Sequence, residues 1–264
     1  MSDIHGCYDE FMQMLNIIEF SEKDTLIIAG DYIDRGPKSY EMLRWLEGKP
    51  DNVILVMGNH DKEFAYNVQL MRSAMKTNKL TIDVNSAEHA KLLYELVAQL
   101  ALQQGGDVSF FDYYGTIGKL IEDKGVSLTD LEKWEEIISQ MPYYYKIHTG
   151  ERECIVVHAG YIESLEGVET DDTFASIEDF YLYARDDAYI YGGIPHGMIV
   201  AGHTPTTAEE ELPFNDGNVY RSYDEDLDCI FYDIDCGCAM RKVRKNGKLA
   251  CIRLEDEKVF YVIN

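Results

Sequence analysis

The chain of 264 residues contains no apolar run near the ~20 residues that a membrane-crossing helix needs. Its N-terminus lacks the basic-then-apolar layout of a secretion signal. Both absences point away from the membrane and toward a reducing cytoplasm. Basic residues are scarce as well: 24 Lys and Arg face 48 Asp and Glu, for a net charge of −24. A field of that sign repels nucleic-acid backbones and excludes a general DNA or RNA binder. Solubility, or the steering of basic Lys/Arg-rich phosphopeptides, remains as its use. The six cysteines (Cys7, Cys154, Cys229, Cys236, Cys238 and Cys251) follow no small-scaffold disulfide spacing. Cys236-Gly-Cys238 has one residue between its thiols rather than two, and no second pair accompanies it, so buried structural thiols are expected. Internal repeats and low-complexity tracts are missing too.

What is present is a rhythm of short apolar runs, each ending in polar residues. Thr25–Ala29 leads into Gly30-Asp31, Val53–Met57 into Gly58-Asn59, and Cys154–Val157 into His158. Met198–Ala201 leads into Gly202-His203, and Ile230–Ile234 into Asp235-Cys236-Gly237. Runs of this length, rich in β-branched residues, are expected to be strands covered on both faces. The polar residues then fall at the C-terminal strand ends, where open α/β sheets bind ligands.

Helical patterns alternate with the early strands. Phe11, Met14, Leu15 and Ile18 form one apolar face, and Ser39–Leu46 stops before a capping Gly48. The βαβα order predicts an α/β layered core. Residues 62–145 break the rhythm with helical spacings at Phe64, Val68 and Met71, and again at Leu92, Leu93, Leu96, Val97 and Leu100. Thr129-x-x-Glu132 is a capping-box pattern opening a helix through Leu131, Trp134, Ile138 and Met141, closed by Pro142. We therefore expect one domain over 1–264 with a mainly helical insertion over 62–145. That insertion either shapes the site or covers one sheet face. Leu249–Leu254 and Lys258–Val262, separated by Glu255-Asp256-Glu257, predict a hairpin. Asp224-Glu225-Asp226 and Glu209–Glu211 read as solvated acidic loops.

Five signatures stand at or near the strand ends. They are Ser2-Asp3-Ile4-His5-Gly6, Gly30-Asp31-Tyr32-Ile33-Asp34-Arg35-Gly36, Gly58-Asn59-His60-Asp61, His158-Ala159-Gly160 and Gly202-His203-Thr204-Pro205. Carboxylate oxygens and imidazole nitrogens suit manganese, iron and zinc. Asp3 and His5 can face one ion after a local turn, and Asp31 can bridge two. Asn59, His158 and His203 can complete the second. An amide oxygen is a weak ligand, which favours an open catalytic centre over a structural zinc site. Two such ions can activate a water and clamp phosphoryl oxygens. Arg35 offers a planar fork to phosphate. His60 diverges from its neighbour Asn59 and is better placed as a general acid, oriented by Asp34. His89, His148 and His196 stand outside the set and are expected in exposed or loop positions.

On these motifs the chain resembles the phosphoprotein phosphatase family of binuclear metallophosphatases, and most of all its bacterial and phage members. Those members include protein phosphatases and symmetrical dinucleoside tetraphosphatases. The resemblance implies an α/β calcineurin-like fold, a layered α-β-β-α sandwich with a helical insertion. It implies Asp3, His5 and Asp31 on the first metal and Asp31, Asn59, His158 and His203 on the second. It places Arg35 on phosphate and pairs His60 with Asp34 for proton donation. Family members carry a second phosphate-binding arginine between the last two histidines, which here is Arg185; a surface pair with Asp186 or Asp187 is the alternative. Manganese is the expected metal, with iron, zinc or nickel as substitutes. The third motif departs from the family in ending with Asp61 instead of Glu, and a small local adjustment is expected there. Family members also have a strand before the first motif. We therefore expect the true start to lie upstream of Met1 and the first metal site to fray.

The implied activity is hydrolysis of phosphate monoesters by in-line attack of a metal-bound hydroxide, with a serine/threonine phosphoprotein or phosphopeptide as substrate. A small phosphorylated molecule is the other partner class. A symmetrical dinucleoside tetraphosphatase is the runner-up. It needs aromatic rings near the site, for which Tyr143, Tyr144, Tyr145, Tyr183, Tyr189 and Tyr191 are candidates. A non-catalytic phosphate- or protein-binding module is the reading from another class, and intact Asp34, Arg35 and His60 argue against it.

Overall fold

The computed structural model describes residues 1–103, 115–150, 152–169, 174–207, 217–241 and 246–263. Strands β1 (Leu26–Ala29) and β2 (Val53–Val56) pair in parallel, with Leu26 opposite Val53. A second sheet contains β3 (Tyr144–Thr149), β4 (Arg152–Val157), β5 (Gly197–Ala201), β6 (Tyr220–Asp224) and β7 (Cys229–Asp233). Its spatial order among the described residues is β3-β4-β5-β7-β6. The middle strands β4, β5 and β7 run parallel, and the two edges pair antiparallel. The expected hairpin forms from β8 (Leu249–Arg253) and β9 (Lys258–Val262).

The alternation of side chains along each strand builds the layers. Leu26 and Ile28 point into a core shared with helices α1 (Tyr8–Ile17), α2 (Ser39–Glu47), α3 (Asn59–Thr77), α4 (Ala87–Gln103), α5 (Thr116–Lys124) and α6 (Leu128–Ser139). Ile27 and Ala29 point the other way, into a core between the sheets with Cys154, Val156, Met198 and Val200. The opposite residues of β4 and β5, namely Ile155, Val157, Ile199 and Ala201, pack on Phe180 of α7 (Ile177–Tyr183) and Ala188 of α8 (Asp186–Tyr191). The result is the expected helix–sheet–sheet–helix sandwich. The helices of the 62–145 region contribute Val68, Leu93, Leu120 and Trp134 to the core behind β1 and β2.

Local details differ from the sequence patterns. The capping box of α6 is Ser127 with Asp130, two residues before the expected Thr129 with Glu132. Asp130 accepts the Ser127 N–H at 3.0 Å, while the Thr129 hydroxyl donates to the Val84 carbonyl. On α4 the buried line is Ala90, Leu93 and Val97, and Leu92 faces solvent. His148 is exposed near the end of β3, just before the turn at Gly150, as expected. Asp224-Glu225-Asp226 is exposed as expected, and Glu209–Glu211 lies outside the described residues. All six cysteines are free and buried. Among the described residues no helix is long and apolar enough to cross a membrane.

The first signature is firmly seated, against the expectation that it frays. The amino group of Met1 donates to the Ile27 carbonyl at 3.1 Å, and the Met1 carbonyl accepts from Ala29 at 2.9 Å. Asp3 N–H donates to Gly30 and His5 N–H to Asp31. The segment thus runs along the free side of β1, and both Asp3 and His5 are buried.

Candidate metal centre

The five signatures converge at the C-terminal ends of β1, β2, β4 and β5. Reaching that point takes unusual backbone. Asp3, His5, Asp31, Asp34, Arg35 and His203 all have positive φ, between 47° and 70°. Non-glycine residues pay roughly 1–3 kcal/mol each for such conformations, and they cluster where function over-determines them. Close approaches make glycine obligatory between them. A Cβ on Gly58 would lie 2.2 Å from the Asp31 nitrogen, and one on Gly202 would lie 2.2 Å from Asp3 Oδ2.

Two groups of side chains have metal-ligating spacing. One joins His5, Asp31 and His60; the other joins Asp31, His158 and His203. Asp31 belongs to both and divides its carboxylate between them. Its Oδ2 lies 3.3 Å from His5 Nε2 and its Oδ1 3.6 Å from His158 Nε2. Asn59 Oδ1 sits 3.0 Å from His158 Nε2 and 3.1 Å from His203 Nδ1, so it closes the second group. Asp3 reaches the first, with Oδ1 3.8 Å from His5 Nε2.

Ring orientation is set from behind. The Nδ1 atoms of His5 and His158 face the carbonyls of Ile33 and Ala29 at 2.8 and 2.9 Å. A carbonyl accepts only, so each Nδ1 carries the proton and each Nε2 offers a lone pair to the cluster. Burial pushes the basicity of His5, His158 and His203 down, with Arg35 adding to the effect at His5 and with His158 and Arg185 adding at His203. Neutral imidazoles are the ligating form.

Asp3 supplies the test of whether a cation fits. Its Oδ2 accepts the His203 N–H at 3.1 Å, but its Oδ1 is buried with no hydrogen-bond partner. Burial and the neighbouring Asp31 push its pKa up to about 7. An orphaned buried carboxylate oxygen beside neutral imidazoles is what two divalent cations would satisfy, so the residues fit the metals that the sequence implies.

Asp34 and His60 meet as expected, at 2.7 Å between Oδ2 and Nδ1. Arg35 spans two rings, with one NH group 2.7 Å from His5 Nε2 and the other 2.9 Å from His60 Nε2. Arg185 is half-buried in the segment between α7 and α8, close enough to His203 to depress its basicity. His89, His148 and His196 lie apart from the cluster.

Two features escaped the sequence. His60 stands within ligand distance of His5 and Asp31, although its neighbour Asn59 serves the other group; the turn of α3 that starts at Asn59 brings both inward. Asp61 supports the cluster from behind, by contacts that the sequence does not show. Its carboxylate accepts three backbone N–H groups, from Asp31 at 2.8 Å, Tyr32 at 3.1 Å and Gly58 at 3.0 Å. It clamps the second signature to the third, and its departure from Glu was the available signal.

A family model for calcineurin-like phosphoesterases matches residues 1–234. The chain belongs to that family. Together with the two clusters sharing Asp31, this makes the site the active centre of a binuclear metal-dependent phosphoesterase. A symmetrical bis(5′-nucleosyl)-tetraphosphatase of Psychromonas ingrahamii is 34% identical over 111 residues, which is 42% of this chain and 40% of that protein. Its counterpart in Nitrosococcus oceani is 52% identical over 62 residues, 23% of this chain and 22% of that one. The matched part of the chain thus spans well under half the length of these relatives. A crystal structure of a candidate diadenosine tetraphosphatase superposes over 99% of this chain and 90% of its own, with a TM-score of 0.53 at 18% identity, which shows the shared fold.

These relatives correct the sequence reading. The resemblance to phosphoprotein phosphatases, the serine/threonine phosphatase activity and the phosphopeptide partner do not stand; the relatives are dinucleoside tetraphosphatases. The reason is chemical. The five signatures are those of a two-metal phosphoesterase centre, and they carry no information about what leaves.

Proposed function

We propose that the protein hydrolyses dinucleoside tetraphosphates symmetrically, releasing two nucleoside diphosphates. The observation carrying this reading is the joining of a complete two-cluster centre to relatives named for that reaction. In this reading Asp3, His5 and Asp31 hold one divalent ion, and Asp31, Asn59, His158 and His203 hold the other. Manganese is the proposed occupant. The ions supply Lewis acidity toward the phosphoryl oxygens and an acidified water.

The chain's own groups do the rest. Arg35 presents its fork beside His5 and His60, where it binds the oxygens of the phosphate under attack. Arg185, near enough to His203 to lower its basicity, approaches the same phosphate from that side. Asp34 fixes the His60 ring through Nδ1, which leaves Nε2 facing the cluster. Arg35 donates to that nitrogen here, so His60 serves as general acid in its imidazolium form: the Arg35 fork turns to the phosphate, and Nε2 delivers its proton to the departing diphosphate oxygen.

Of the six tyrosine candidates, Tyr183 lies against the centre, its ring 6.5 Å from that of His203. Tyr144 is committed to a ring cluster with Tyr161 and Tyr181, Tyr189 to Asp233, and Tyr191 to the Glu169 carbonyl. The test is catalytic efficiency on diadenosine tetraphosphate set against a phosphoserine peptide in the same manganese buffer. We expect the dinucleotide to lead by at least about 100-fold, the span that a few lost phosphate contacts produce. Equal efficiencies, or a lead for the peptide, would reject the assignment.

A further inference from the structure

The residues described so far handle one phosphate. A dinucleoside tetraphosphate carries further phosphates on either side of the bond that breaks, and the chain's net charge of −24 repels all of them. A cation outside the metal cluster is therefore needed to seat the rest of the substrate. Lys62 meets that need. It lies three residues after Asn59 on α3, on the same helix face and one turn along. Its ammonium is 5.9 Å from the centre of the Tyr143 ring and 6.0 Å from that of Tyr183. The same Tyr183 ring lies 6.5 Å from that of His203 and so links the ammonium to the second cluster.

How Lys62 is held matters as much as where. Among the described residues its one ion pair is to Asp179 Oδ1 on α7, long at 3.4 Å, and its side chain is 36% exposed. Pairs of that kind contribute little, so a phosphate can replace the carboxylate at small cost. Both ring contacts sit at the outer limit for a cation–π interaction. Tyr183 is positioned independently, its hydroxyl donating to Glu63 Oε1 at 3.3 Å. The ring thus stays in place when the ammonium moves.

The geometry points to Lys62 as a specificity-determining residue that binds the phosphate next to the one under attack, with the Tyr183 ring facing the attached nucleoside. This inference rests on the proposed function. It assigns discrimination between polyphosphate chains and simple phosphomonoesters to a side chain that touches neither metal cluster. Asp179 is its counter-ion and competes with the substrate.

The experiment measures catalytic efficiency on diadenosine tetraphosphate and on p-nitrophenyl phosphate in the wild type, Lys62→Met, Lys62→Arg and Asp179→Asn. Lys62→Met should lower the ratio of the two efficiencies about 10- to 100-fold, as expected for one lost charge-assisted contact, through KM for the dinucleotide. Lys62→Arg should restore most of that ratio, and Asp179→Asn should lower KM for the dinucleotide. A ratio unchanged in Lys62→Met would overturn the inference. Competition by inorganic tripolyphosphate separates this failure from failure of the function itself. A wild type that ignores the dinucleotide sinks the proposed function. In that event, a tripolyphosphate inhibition constant that Lys62→Met still raises relative to that of orthophosphate keeps the polyphosphate subsite, and an unchanged one removes it.

Discussion

The Asp61 carboxylate accepts the backbone N–H of Asp31 at 2.8 Å, and it thereby fixes the residue common to both metal clusters. Asp31 sits at a φ of 56°, a conformation it would not hold unaided. Asp61→Asn replaces one accepting oxygen with an amide that faces N–H donors. Unsatisfied buried donors cost about 1–3 kcal/mol each, so we expect a loss of at least about 2 kcal/mol in denaturant unfolding. Metal content should fall below two ions per chain. Asp61→Glu should also destabilise, since the added methylene pushes the carboxylate off its fit to the Asp31, Tyr32 and Gly58 N–H groups.

Gly202→Ala is expected to strike one metal site selectively. The new methyl would fall 2.2 Å from Asp3 Oδ2 and displace that carboxylate from the His203 N–H. Elemental analysis should show the loss of one ion per chain while circular dichroism stays close to wild type. Two ions retained would show that Asp3 is dispensable for binding.

His60→Asn separates the two roles that its position allows. In the proposed mechanism it donates a proton, so both ions should remain bound while kcat falls about 10²- to 10⁴-fold, the usual contribution of general acid–base catalysis. Loss of an ion in this variant would make His60 a ligand, as its place beside His5 and Asp31 permits.

Asp3 makes metal binding depend on pH. Burial and Asp31 push its pKa up to about 7, against an ordinary carboxylate value near 4. The folded metal-free chain therefore holds a proton that the unfolded chain has lost. Its stability falls as pH rises from about 4 through about 7, because the unfolded state releases that proton first. Bound cations remove the penalty. Thermal unfolding of chelator-treated protein should show a Tm that drops between pH 5.5 and 8, and loaded protein should show little drop. Calorimetry in buffers of different ionisation enthalpy should find proton release on metal binding near pH 6. A flat metal-free profile would contradict the assigned environment of Asp3.

The layers were legible because strand alternation and helix spacing are local. Ile27 and Ile28 look alike in the sequence yet serve different cores, and the period of two tells them apart. The metal cluster was legible because its chemistry demands rare residue types at strand ends. Three things were hidden. The seating of Met1 along β1 depends on partners at residues 27–30, which no local pattern reveals. The role of Asp61 depends on three backbone donors gathered from two separate turns. The α6 cap shifted because Ser127-x-x-Asp130 and Thr129-x-x-Glu132 have the same spacing, and contact with Val84 drew Thr129 away. The substrate class was misread because a phosphoprotein and a dinucleotide place the same phosphoryl group on the same metals.

The products of diadenosine tetraphosphate hydrolysis decide the reaction. We expect two ADP per substrate consumed, activity abolished by chelation, and recovery when two equivalents of manganese per chain are restored. Formation of ATP with AMP, or cleavage that persists after the metals are removed, would contradict it.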